Sequence, residues 1–251
     1  MTRADQLLVR HGLAPSRSAA QRLIARGAVR WLGPQGWTAP RKVGEDLPDD
    51  CELQLCDDAE LRFVSRGGLK LAGALEHTRL DVRALACLDL GQSTGGFTDC
   101  LLAAGAAHVT GIDVGHGQLH ERLRADPRVH AFEGVNVRTL EAAALGAACP
   151  PGGFDLVVAD LSFISLAHAL RPAYALARAG ARLLALVKPQ FELGPGGVDR
   201  RGLVRDATRY ETVRRDIEGA AALAGWQVLE WFDSPIRGGD GNREFFLYAR
   251  K

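Results

Sequence analysis

The chain has 251 residues, 47% hydrophobic and 24% charged, with a formal net charge of +1. That length and composition suit one large domain with a small accessory one and exclude disordered and fibrous classes. No run of about eighteen apolar residues is present to span a bilayer, and the opening Met1-Thr-Arg-Ala-Asp-Gln6 lacks a signal peptide's apolar stretch, so a cytoplasmic protein is expected.

The charge is unevenly spread. Residues 1–42 hold eight Arg or Lys against a single acid, Asp5, a local +7 that leaves −6 on the other 209 residues. A basic segment on a near-neutral body is the footprint of a polyanion-binding module, although a solvated basic face is the plainer meaning of a charge run. Leu7, Leu8 and Leu13 mark a short helix closing near Gly12. Ser16 caps a second helix in which Ala20, Leu23 and Ile24 recur at helical spacing, leaving Arg17, Arg22 and Arg26 for the outside. Gly27 closes that helix. Ala28-Val-Arg-Trp-Leu32 reads as a strand turning at Gly33-Pro34, with further strands expected around Lys42-Val43 and Cys51–Leu55. The stretch from Ser16 to Val29 resembles the small RNA-binding module of ribosomal protein S-four, several pseudouridine synthases and tyrosyl-tRNA synthetases. That resemblance implies folded RNA as the ligand, with Arg3, Arg17, Arg22, Arg26 and, farther on, Arg66 as contacts. The expected organisation is an RNA-binding domain over 1–60, a linker over 61–66 and a second domain over 67–251.

From residue 83 short apolar runs alternate with helical stretches, the pattern of an α/β doubly wound sheet. The runs 84–90, 108–113, 129–132, 154–160 and 182–188 read as five strands. A long helix at about 206–224 separates them from strands at 226–232 and 244–249, which lie too close together for an intervening helix and are expected to be antiparallel. The five cysteines, Cys51, Cys56, Cys87, Cys100 and Cys149, have neither an even count nor zinc spacing, so they read as reduced thiols and no metal is expected.

The turn after the first of these strands is the strongest local chemical signal. Gly91-Gln-Ser-Thr-Gly-Gly-Phe97 places Ser93 where a dinucleotide fingerprint wants its second glycine. Asp113, ending the next strand, is placed to accept hydrogen bonds from ribose hydroxyls. NAD would also use an acid there, but no second domain remains to hold a dehydrogenase substrate, and S-adenosylmethionine is the expected cofactor. Its candidate contacts are Asp89, Gly91, Ser93, Thr94, Gly95, Gly96, Phe97, Asp113 and Val114.

Lysine is scarce. Only four of the thirty-one basic residues are lysine, and Lys70 and Lys188 fall within Ser65-Arg-Gly-Gly-Leu-Lys70 and Leu186-Val-Lys-Pro-Gln190. Arginine serves electrostatics equally well but cannot give up its proton, so a retained lysine hints at chemistry. The strings Phe63–Lys70, Ser93–Cys100, Asp113-Val-Gly with Gly117-Gln-Leu119, Leu161–Ser165, Val187–Glu192 and Gly241-Asn-x-Glu244 resemble, in order and nearly end to end, the TlyA family. These are bacterial rRNA 2'-O-ribose methyltransferases, some labelled hemolysins, with a catalytic domain similar to FtsJ-type enzymes. Gln92 and His116 depart from the family pattern.

The resemblance implies a Lys-Asp-Lys-Glu catalytic tetrad on Lys70, Asp160, Lys188 and Glu244. Lys188 would act as base or hydroxyl-polarising group, Asp160 would orient it, Glu244 would bond the lysine pair, and Lys70 would position the ribose or a phosphate. It also implies ribosomal RNA, in the form of ribosomal subunits, as partner, with cytidine riboses as targets; a monomer is expected. Each tetrad residue has a plainer reading, Asp160 as a helix cap through Ser162 and Glu244 as an edge-strand carboxylate. The segment Gly194–Arg205, rich in glycine and arginine, is either an RNA-contacting lid or a surface connection. Arg237–Asn242 approaches the catalytic end, and 57–66, with Arg62 and Phe63, lies where RNA engagement would be relayed between modules. A membrane-active hemolysin-like protein, binding lipid through its basic N-terminal segment, and a non-catalytic RNA-binding assembly factor are the alternative readings.

Overall fold

The computed structural model describes residues 1–56, 61–239 and 241–251. They divide into two compact units, Met1–Ser65 and Arg66–Lys251. Residues 57–60, the end of the expected RNA-binding domain and the start of the 57–66 segment, and Asp240 lie outside the described residues.

In the first unit β1 (Thr2–Arg3) leads into α1 (Ala4–Arg10) and α2 (Arg17–Ala25), followed by β2 (Val29–Gly33), β3 (Gly36–Thr38), β4 (Asp46–Leu47) and β5 (Leu53–Leu55). As its spacing requires, Ser16 caps α2, its side chain accepting the Ala19 N–H at 3.3 Å. Leu7, Leu8 and Leu23 are fully buried between the two helices and the strands; each contributes about 2 kcal/mol by removal from water. The strand expected at Lys42-Val43 is a turn instead. Glu45 N–H donates to the Lys42 carbonyl, and pairing begins at Asp46 and Leu47, opposite Arg3 and Thr2. Gly44 leaves room there for the Arg3 guanidinium, which would stand 2.8 Å from a Cβ at this position.

The acid inside this basic segment is structural. Asp5 is wholly buried and accepts hydrogen bonds from Arg3 Nε at 3.0 Å, Arg17 Nη2 at 3.2 Å and Gln21 Nε2 at 2.8 Å. Arg3 foremost, with Gln21 and Arg17, holds the Asp5 carboxyl far below the usual carboxylate range.

The second unit is a seven-stranded sheet with helices packed on it. Its elements are α3 (Gly67–Thr78), β6 (Ala86–Leu90), α4 (Gly96–Ala103), β7 (His108–Asp113), α5 (Glu121–Arg124), β8 (Val129–Glu133), α6 (Ala142–Leu145), β9 (Phe154–Ala159), α7 (Ala167–Leu176), β10 (Ala177–Val187), α8 (Pro189–Glu192), α9 (Arg209–Ala224), β11 (Gln227–Asp233) and β12 (Phe245–Arg250). The strand order is β11-β12-β10-β9-β6-β7-β8. Strands β6 to β10 are mutually parallel, and β12 runs antiparallel to both neighbours, as the short connection before it requires. The continuous apolar runs of β6 and β9 are buried because helices cover both faces of the sheet. The fifth strand starts five residues before the expected Arg182, with an irregularity between Ala177 and Arg182 where it leaves β9. Cys87 and Cys100 are buried, and all five cysteines are free thiols.

Replacing Asp5 by Asn is expected to loosen the first unit by about 2 kcal/mol, the scale of hydrogen bonds to a charged group. Hydrogen exchange at the α1 and α2 amides would register this as roughly thirty-fold lost protection. Because the Asp5 carboxyl is depressed in the folded state, its stabilisation is complete above the ordinary carboxylate range and is lost as pH falls through and below that range. In the D5N variant this part of the acid sensitivity disappears.

Candidate active site

Parallel strands converge at their carboxyl ends, and there the sheet gathers its polar residues. Asp113 closes β7, Asp160 follows β9 and Lys188 follows β10. Antiparallel β12 starts at this same end. Val187 registers with Phe245, so Lys188 and Glu244 flank the same rung of the β10–β12 pair. Lys70, in the first turns of α3, reaches the cluster from outside the sheet.

Two ion pairs result. Lys70 Nζ lies 2.6 Å from Glu244 Oε2, and Lys188 Nζ lies 2.6 Å from Asp160 Oδ1. Lys70 and Glu244 are 7% and 3% exposed, so neither charge would be tolerated without the other. Burial pushes the Glu244 carboxyl up from its ordinary range, against the opposing pull of Lys70 and Lys188, while Asp160 adds to the rise. The two pairs therefore form one electrostatic cluster of two cations and two carboxylates. Glu244 contacts Lys70 directly; Lys188 is held by Asp160 and, in addition, donates to Ser162 Oγ at 2.9 Å.

The segments after β9 and β10 are further tied together. Glu192 accepts the Leu166 N–H at 2.9 Å, and its buried carboxyl is raised by desolvation. The rings of Phe163 and Phe191 meet at 5.1 Å. Phe163 is 87% exposed and its φ of 65° lies in the left-handed region, a rare conformation for an aromatic residue that only a determined surrounding maintains.

Beside this cluster a cavity of about 460 Å³ opens between the turns that follow β6, β7, β8 and β9, a size within the range of small-ligand sites. Gly91, Ser93, Asp113 and Val114 line it, as does Asp160. The Asp113 carboxylate accepts the N–H groups of Ser93 and Gly115, both at 2.7 Å, which fixes it at the cavity wall with lone pairs remaining for a ligand. Gly91 is obligatory: its φ is 85°, and a Cβ would stand 2.6 Å from the Asp160 carbonyl oxygen. Thr94, Gly95, Gly96 and Phe97 are not among the lining residues; they form the turn into α4 that holds the wall in place.

Asp89 is likewise not at the wall. It is wholly buried, its Oδ2 accepts from Thr98 Oγ1 at 2.7 Å, and Thr98 accepts from Gln92 Nε2 at 2.9 Å. Burial raises the Asp89 carboxyl to about 7. Sequence reasoning missed Asn136, Val137 and Arg138, which line the cavity after β8, and gave Ser162 only a capping part. Their signal was positional: each stands just past the carboxyl end of a parallel strand, where open sheets bind ligands. Of the candidate RNA contacts, Arg3 and Arg17 are partly engaged by Asp5, Arg22 and Arg26 stand on and at the end of α2, and Arg66 donates to the Arg237 carbonyl at 3.0 Å.

Comparison with known proteins agrees with this geometry. Residues 63–251 match the model of the FtsJ-like methyltransferases, and residues 2–30 match the S4 domain. The chain is 44% identical over 248 residues to the 16S/23S rRNA (cytidine-2'-O)-methyltransferase TlyA of Mycobacterium tuberculosis, covering 99% of this chain and 89% of the relative. It is 32% identical to Hemolysin A of Brachyspira hyodysenteriae, covering 98% of each. A solved structure, a candidate hemolysin from Streptococcus thermophilus, superposes with a TM-score of 0.75 at 38% identity, covering 99% of this chain and 88% of that one. The chain belongs to the FtsJ-like methyltransferase family and carries an S4 domain at its N-terminal end.

Proposed function

We propose that the protein methylates a ribose 2'-hydroxyl, in cytidine, of ribosomal RNA, using S-adenosylmethionine as donor. The observation that carries this reading is the pair of salt bridges Lys70–Glu244 and Lys188–Asp160, joined to the Asp113 cavity through Asp160, which lines it. The cavity suits a nucleoside-bearing donor: a carboxylate at its wall, a glycine that lets backbone approach closely, and sufficient volume. When bound there, S-adenosylmethionine supplies a methyl group already activated by a positively charged sulfur.

The protein's task is then alignment and removal of a proton, because a ribose hydroxyl is a weak nucleophile. Lys188, fixed by Asp160 and Ser162, meets the 2'-hydroxyl and orients its lone pair toward the methyl carbon. The Lys188–Asp160 pair would take up the hydroxyl proton, while a bound donor would supply the methyl group and leave with its sulfur neutral. Lys70, held by Glu244, positions the ribose or the adjoining phosphate. The exposed ring of Phe163, packed on Phe191, whose ring in turn lies 5.9 Å from Lys188 Nζ, offers a stacking face for a base presented out of its helix. The S4 unit would supply shape recognition of folded RNA through its arginine-bearing helix α2.

A membrane-active role, suggested by the name of the Brachyspira relative, leaves both ion pairs without a purpose. Among the described residues no helix is long and apolar enough to cross a membrane.

The test is transfer of labelled methyl from S-adenosylmethionine to ribosomal subunits lacking the modification. Label in alkali-resistant dinucleotides is expected, and Lys188→Ala should lower the rate about a thousandfold with donor binding retained; lysis of liposomes unaffected by the same change would favour the membrane reading. Asp113→Ala should weaken donor binding about tenfold or more by calorimetry, the scale of one or two charge-assisted hydrogen bonds, and leave RNA affinity unchanged. If ionised Glu244 must hold Lys70, activity should rise with pH through a carboxyl transition lying above the range of a free glutamate. Glu244→Gln should remove that transition; a profile identical to the wild type would exclude the role.

A further inference from the structure

The segment between α8 and α9 is built rather than loose. Asp199 organises it: its carboxylate accepts the N–H groups of Arg201 at 2.8 Å and Leu203 at 3.0 Å and the Arg205 Nε–H at 2.7 Å. These bonds, the backbone N–H of Leu203 foremost, hold its carboxyl down at about 2. The backbone closes on itself through Asp199 N–H to the Leu203 carbonyl and Gly202 N–H to the Asp199 carbonyl, both 2.9 Å. Gly202 supplies the left-handed φ of 76° that the turn needs.

A second anchor comes from far along the chain. Asn242, 3% exposed, donates from Nδ2 to the Gly202 carbonyl at 2.8 Å and accepts the Val204 N–H on Oδ1 at 3.0 Å. One side-chain amide thus satisfies a donor and an acceptor of the turn's backbone, as a neighbouring strand would. Asn242 stands two residues before Glu244, and the turn itself starts eleven residues after Lys188. The turn is therefore tethered to the chain on either side of the two catalytic candidates.

What the turn displays is positive charge. Arg200 and Arg201 are exposed, and their side chains make no hydrogen bond or ion pair among the described residues. Many arginines of this unit are matched to a carboxylate, as in Arg83–Asp81, Arg122–Asp99, Arg178–Asp155 and Arg243–Asp233, and the next arginine of the turn itself, Arg205, is matched to Asp199. Two adjacent unmatched guanidinium groups on a turn fixed at both ends form a preorganised site for phosphate oxygens, which arginine binds in a bidentate manner.

We infer that the 199–205 turn is a phosphate-contacting shelf for the RNA strand entering the catalytic unit, and that Asn242 is the positioning residue that sets this shelf relative to Glu244. The inference rests on the methyltransferase reading for the identity of the polyanion, but its binding test does not need catalysis.

The experiment measures retention of unmodified ribosomal RNA on filters by the full chain across a salt series, with donor binding followed in parallel. Arg200→Ala/Arg201→Ala should weaken RNA binding about tenfold and shallow the salt dependence by roughly 1.4, two single-strand phosphate contacts, with donor affinity unchanged. Asn242→Ala, which keeps both arginines, should weaken RNA binding several-fold, and the triple variant should bind no worse than the double, because the amide acts through those arginines. Asp199→Asn, which loosens the turn at its other anchor, replaces Asn242→Ala if that variant melts early. Unchanged affinity and salt slope in the double variant would overturn the shelf, and additive losses in the triple variant would overturn the positioning role. Wild-type protein that binds RNA with these signatures yet transfers no methyl would remove the methyltransferase reading and leave the shelf standing.

Discussion

The site depends on the reversal of one strand. If β12 ran parallel to β10, its first residue would lie at the opposite edge of the sheet from Lys188, and Glu244 would be some 20 Å from the carboxyl ends where ligands bind, the length of a six-residue strand. Antiparallel insertion between β10 and β11 brings the beginning of β12 to the end of β10, so Glu244 pairs with Lys70 of α3 and lies in the field of Lys188, which follows β10. The compensation of charge follows. Two lysines and two carboxylates are held at low exposure only because each cation has a carboxylate at ion-pair distance, and the turns after β9 and β10 are shaped to keep that pairing through Ser162, Glu192 and the Phe163–Phe191 contact.

Much of this was legible in the sequence, for identifiable reasons. The parallel strands announced themselves as short, mainly apolar runs alternating with helical stretches, and the direction of β12 followed from a connection too short to hold a helix. Lys70, Asp160, Lys188 and Glu244 were singled out through family resemblance, not through spacing: nothing local across a separation of 174 positions relates Lys70 to Glu244, and what the fold adds is that the four lie together. What stayed hidden depended on partners distant in sequence. Lys42-Val43 has the makings of a strand, but the edge it would join is taken by Asp46 and Leu47, whose register is set by Thr2 and Arg3. Asp5 looked like the single exception in a basic run; its burial beneath Arg3, Arg17 and Gln21 makes it the acceptor that orders part of that run.

Gln92 shows how a departure from a family pattern is absorbed. A long polar side chain under the glycine turn needs both an acceptor for its amide N–H and space. Thr98 supplies the first, passing the hydrogen bond on to Asp89, and Gly111 on β7 the second, since any Cβ at that position would overlap the Gln92 amide. Neither Thr98 nor Gly111 signals this alone, because the relation crosses from β6 to β7. The network also accounts for Asp89 lying beneath the turn instead of in the cavity wall, where its carboxyl, raised toward neutrality by burial, can be kept without a cation.

Gly91 has a consequence for how the two halves of the site move. Its Cα packs on the Asp160 carbonyl with no room for a methyl group, and Asp160 N–H donates to the Leu90 carbonyl at 2.9 Å. The Gly91 wall of the Asp113 cavity and the backbone that carries Asp160 toward Lys188 are thus in direct contact. On the proposed function, a displacement of the glycine turn would be passed to the Asp160 backbone it packs on, so that filling the cavity and aiming Lys188 would share one degree of freedom.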